Sequence, residues 1–111
     1  ADTYRQSLSD FVITPVDLNY EEPVYHNFVI RVEAKSRDKL MEFMLHRGVE
    51  TKIHYPIPIH LQECSNNLKY KNGDFPKTEA YAKEMISLPI YPELEDSEVE
   101  IVISTLKEYF N

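Results

Sequence analysis

His54, Tyr55 and His60 are gathered around Pro56 and Pro58 in the run IHYPIPIH. A neutral imidazole both donates and accepts hydrogen bonds, and tyrosine adds a flat apolar ring with a hydroxyl tip, so the group suits sugar hydroxyls and phosphate oxygens. The two prolines remove backbone donors and hold the chain extended, which places these side chains on a rigid loop at the end of a strand. A metal centre is a poorer reading. His54 and His60 would need a further ligand, and the nearest in sequence, Glu63, Cys64 and His46, match no zinc spacing. Cys64, followed by Ser65 and Asn66, has no base beside it and reads as a free thiol. Residue types alone leave open that His54 and Tyr55 are ordinary strand-end residues packing on their neighbours.

The rest of the chain has to position that loop. With 111 residues, 42% of them hydrophobic, it is long enough for one modest core and too short for two ordinary domains. Its net charge of −7 argues against nucleic acid or an anionic membrane surface as partner. No apolar run is long enough to span a bilayer, one cysteine cannot form an internal disulfide, and no secretory signal is visible, so a cytoplasmic location is expected. With two glycines in all, and no GxGxxG, Walker or GxSxG pattern, a nucleotide site within the chain is not expected.

Spacing predicts a short helix within residues 1–13, then an acidic connection, Val16 to Glu22, between Pro15 and Pro23. Val24 to Val32 reads as a strand with Val24, His26, Phe28, Ile30 and Val32 on one face, which makes His26 a core or interface residue, with Arg31 on the other face. Ser36 is the expected cap of a helix over 37–47, stopped by Gly48. A second strand is expected over Val49 to Tyr55, a loop with about one helical turn over 61–74, and a helix from Asp74 or Pro76 to about Ile86. Ser87 to Tyr91 reads as a short edge strand, and Asp96 as the cap of a last helix with the stripe Val99, Val102, Ile103, Leu106 and Phe110. The order predicts an α+β fold, a small β-sheet with helices packed on one face.

With these elements in place, the sequence resembles the DegT and StrS type of sugar aminotransferases. Gly48 to Gln62, GVETKIHYPIPIHLQ, is similar to that family's GIETxIHYPxPxHxQ segment. VYHNFVIRV at Val24 to Val32, the run Gly73 to Leu94 and the closing EVEIVISTLKEYF follow in the family's order, and the opening ADTYRQSL looks like the end of the helix that joins its large and small domains. The resemblance implies an interdomain helix end and linker over 1–23 and, over 24–111, the C-terminal small domain seen in fold-type I aminotransferases.

The same resemblance implies a parent enzyme that moves an amino group from glutamate through pyridoxal phosphate to a nucleotide-linked keto sugar, generally as a homodimer. His54 and Tyr55 match the pair that positions the sugar, with His60 a weaker third; the family roles of His26 and Arg31 are unassigned, and Ser87 to Leu94 looks structural. The cofactor lysine belongs to the large domain, so no catalytic or cofactor-binding residue is expected here and the isolated chain should be inactive. The alternative expectation is a stand-alone α+β module that binds a small acidic or sugar ligand without enzymatic activity.

Overall fold

The computed structural model describes residues 1–111. Its centre is an antiparallel pair, β1 (Phe28–Arg31) and β2 (Met85–Leu88), with Phe28 opposite Leu88 and Arg31 opposite Met85. Single bridges extend the sheet on each side, Ile13 to Arg31 and Lys52 to Ser87. The helices are α1 (Asp2–Leu8), α2 (Ala34–His46), α3 (Pro76–Glu84) and α4 (Asp96–Phe110), with 3-10 turns at Ile59–Leu61 and Glu63–Leu68. The expected α+β architecture is present.

Alternation along the strands aims Phe28, Ile30, Ile86 and Leu88 at one core. Tyr4 and Leu8 of α1, Leu40 and Met44 of α2, and Val102, Ile103 and Leu106 of α4 complete it. Arg31 leaves the opposite face, pairs with Glu84 at 3.1 Å and lies 4.0 Å over the Tyr81 ring of α3. Tyr4, Leu8 and Val12 are core residues, so the boundary expected at residue 24 does not divide the packing. The connection after α1 is stitched back by Arg5, which bonds the Pro15 carbonyl at 3.1 Å, Asp17 at 2.7 Å and the Tyr25 hydroxyl.

Several expected boundaries move, each for a local reason. The strand expected from Val24 begins at Phe28, because Tyr25 has a φ of +48° and Val24 is 93% exposed. His26 is exposed, outside the core. Helix α2 starts at Ala34 with Glu33 at its cap, which puts Ser36 inside the first turn. Helix α3 ends at Glu84 and releases Ile86 into β2. Glu95 rather than Asp96 caps α4, where Glu98 Oε2 accepts the Glu95 N–H at 2.9 Å. Gly48 does stop α2: at φ +82° it donates to Leu45, and Val49 donates to Met44, a Schellman closure.

The strand expected over Val49 to Tyr55 reduces to one pair, and β2 lies between two neighbours rather than at an edge. Lys52 donates to Ser87 at 3.2 Å and Ser87 to Lys52 at 2.8 Å. In an antiparallel ladder the next bonded pairs fall two residues away on each strand, at Met85 with His54 and Pro89 with Glu50. The Met85 N–H is already given to the Tyr81 carbonyl at the end of α3, and Pro89 has none. Two substitutions test this packing by chemical denaturation. Leu40→Ala is expected to cost roughly 3 kcal/mol as a cavity in the core. Gly48→Ala is expected to cost about 1 kcal/mol from backbone strain alone, since a Cβ there meets nothing within 4 Å.

Candidate functional site

The Lys52–Ser87 pair delivers the chain to the site. Two residues on, the His54 ring turns back to the same serine, with Nδ1 2.8 Å from Ser87 Oγ. Ser87, Lys52 and His54 line a groove of about 430 Å³ between the end of β2 and α4, together with Tyr91, Glu98 and Ile101. Tyr55 lies outside that lining, 72% exposed, with its ring edge-on to His54 at 5.5 Å. His54 and Tyr55 therefore stand side by side, one in the groove wall and one at its outer margin.

His60 does not join them. Its side chain is 8% exposed, packs 4.7 Å from the Phe75 ring, and places Nε2 2.9 Å from Glu79 Oε1. The Glu79 carboxylate also accepts the backbone N–H of Gly73 at 2.9 Å and of Phe75 at 3.2 Å. Burial alone would push this carboxyl up, but the Gly73, His60 and Phe75 donors outweigh it and hold the group below its usual range. Sequence reading did not mark Glu79, although a glutamate on the first turn of α3 is favoured by the positive helix end.

The groove is polar at its mouth. Lys52 is ion-paired with Glu50, and its hydrogen bond holds the Glu50 carboxyl below the usual range. Burial, then the neighbouring Glu98, raises the Tyr91 hydroxyl. At Pro89, which also lines the groove, the backbone carbonyl accepts the Tyr4 hydroxyl at 2.9 Å, and burial pushes the Tyr4 pKa up to about 12. This bond ties α1 to the segment that follows β2. Cys64 is an exposed free thiol, and no group of three metal-ligating side chains is assembled. No helix is long and apolar enough to cross a membrane.

Comparison with known proteins gives this geometry a family. A sequence model of the DegT/DnrJ/EryC1/StrS aminotransferase family matches residues 1–107. The chain belongs to that family. The pleiotropic regulatory protein of Geobacillus stearothermophilus is 36% identical over 106 residues, 96% of this chain and 28% of that protein. The dTDP-3-amino-3,4,6-trideoxy-alpha-D-glucose transaminase of Streptomyces venezuelae is 36% identical over 95 residues, 86% of this chain and 24% of that protein. Among solved structures, S. venezuelae DesV in complex with a ketimine intermediate superposes with a TM-score of 0.92 at 33% identity, covering 97% of this chain and 29% of that one. The chain thus spans less than a third of the length of these relatives.

The lysines of this chain are not placed to form a Schiff base with pyridoxal phosphate. A lysine that forms a Schiff base must shed its proton, which burial favours and a paired carboxylate opposes. Every lysine is exposed except Lys107, which is half-buried with its ammonium 5.7 Å from the Phe11 ring centre, and the lysine on the groove is paired with Glu50.

The Glu79 clamp makes a pH prediction. Because its native pKa is depressed, the carboxylate's contribution to stability is intact above the ordinary glutamate value of 4.5 and is lost as pH falls through the lower native value. Glu79→Gln should lower the melting temperature at neutral pH and flatten its fall on acidification, read by circular dichroism. An unchanged acid limb would contradict the clamp.

Proposed function

We propose that the chain is the C-terminal small domain of a pyridoxal-phosphate-dependent sugar aminotransferase and supplies one wall of its sugar-binding cleft. The observation that carries this reading is the His54 ring, anchored to Ser87 in the wall of the groove with Tyr55 beside it, within a chain of this aminotransferase family. Relatives that are transaminases for dTDP-linked amino sugars support a nucleotide-linked keto sugar as the substrate class.

In this reading glutamate is the amino donor, and the remainder of the protein holds the pyridoxal phosphate, which supplies the electron sink for moving the amino group. The part played by these residues is to bind and orient. His54 offers a ring nitrogen to the sugar from a fixed direction, and Tyr55 offers an apolar ring face and a hydroxyl at the mouth. His60, enclosed by Glu79 and Phe75, serves in this reading by holding the far end of the loop that carries Tyr55 rather than by touching the substrate. The 111 residues alone are expected to be inactive, and the whole enzyme to be a cytoplasmic homodimer. The other expectation, a free-standing binding module, is not favoured by transaminase relatives that extend well beyond the matched span.

The test is steady-state kinetics on the full-length gene product with glutamate and a nucleotide-linked keto sugar. His54→Ala should raise KM for the sugar roughly 10-fold, as expected for losing a hydrogen bond to a polar ligand group, and leave KM for glutamate within about twofold. Tyr55→Phe should raise it by a smaller factor. Equal effects on both substrates, or no amino transfer by the native protein, would refute the reading.

A further inference from the structure

Strand β2 reads Met-Ile-Ser-Leu, and from Ile86 to Leu88 it is buried on both faces. A strand covered on both sides is ordinarily apolar throughout. Ser87 is the exception: it is 5% exposed, and alanine or valine would pack there without desolvating a hydroxyl. Its backbone N–H and C=O are both taken by Lys52, and its Oγ makes one hydrogen bond, to Nδ1 of His54 at 2.8 Å. The His54 ring makes no other hydrogen bond within the chain, which leaves Nε2 as its free nitrogen.

The direction of that bond decides what His54 offers a ligand. If Nδ1–H were the donor, the serine hydroxyl hydrogen would have no acceptor within the chain. With the hydroxyl as donor, both the hydrogen and the Nδ1 lone pair are satisfied. The proton of the neutral ring then resides on Nε2.

We propose that Ser87 is a positioning residue: by donating to Nδ1 it holds His54 as the Nε2–H tautomer, a hydrogen-bond donor aimed at an acceptor-only oxygen of the ligand. A ketone carbonyl and a diphosphate oxygen share that chemistry, whereas a lone pair on Nε2 would instead select a hydroxyl donor. Two anchors fix the imidazole, the Lys52 backbone pair two residues before it and the Ser87 hydroxyl on its ring, so its direction is set before any ligand arrives. The nature of the ligand rests on the function proposed above; the tautomer does not.

Two-bond proton–nitrogen correlation spectra of the full-length gene product, labelled with ¹⁵N at histidine and assigned with His54→Gln, test the tautomer directly. The native protein and Ser87→Thr, which keeps the hydroxyl, should show His54 protonated at Nε2, and Ser87→Ala should show a mixture of tautomers. A His54 ring protonated at Nδ1 in the native protein would overturn the proposal, whether or not any variant folds. So would an unchanged tautomer in a folded Ser87→Ala. In kinetics, Ser87→Ala should raise KM for the keto sugar roughly 3- to 10-fold, the span expected for one hydrogen bond, with recovery in Ser87→Thr and little further loss when combined with His54→Ala. Weakened binding of thymidine diphosphate alone would place the acceptor on the phosphate, and weakening confined to the keto sugar would place it on the carbonyl. Absence of amino transfer with the tautomer pattern intact would overturn the ligand assignment and leave the Ser87–His54 link standing.

Discussion

The site hangs from one antiparallel pair of residues, Lys52 and Ser87. Two backbone hydrogen bonds bring the segment after α2 against the central strand, and on either side of that pair β2 has no donor of its own to extend the ladder. The Met85 N–H is spent closing α3, and Pro89 has none. A longer ladder would have bound His54 into the sheet by its backbone. With the ladder cut short, a side-chain bond from the ring to Ser87 fixes His54 instead, and a strand end becomes a site.

The loop that follows is held at both ends by polar contacts. His54 is tied to Ser87 at the start, and His60 to Glu79 at the finish, with Pro56 and Pro58 limiting the backbone between them. Tyr55 projects from the held segment, largely exposed, with its ring edge-on to His54. The two histidines thus divide the work, since one leaves a ring nitrogen free at the groove and the other is enclosed. Both depend on α3 and β2 being joined without a loop, which places Glu79 and Ser87 on one continuous stretch of chain.

Much of this was legible in the residues. The apolar stripe of α4 and the glycine stop of α2 rest on local rules, and both led to the right elements. What sequence reading missed depends on pairing across the chain. Val24 and His26 fit a strand pattern, but Tyr25 bends the backbone in front of Phe28 and turns toward Arg5 and Asp17. Val49, Thr51 and Ile53 also fit one, but strand propensity cannot show that Met85 and Pro89 have no donor free. His60 looked like a partner of His54 because the two are close in sequence, while its actual partner, Glu79, lies 19 residues on. A signal for Ser87 was present, a lone hydroxyl in the apolar run from Met85 to Ile90, and it gained meaning once the strand proved to be central.

Membership of the aminotransferase family and the groove geometry meet in one proposal, that this chain presents the His54 ring to the sugar. A crystal structure of the full-length protein with a bound nucleotide-linked sugar measures it most directly. His54 Nε2 is expected at about 2.7–3.2 Å from a ligand oxygen, with Nδ1 still on Ser87. A sugar bound beyond reach of His54, with the groove beside Ser87 empty, would contradict it.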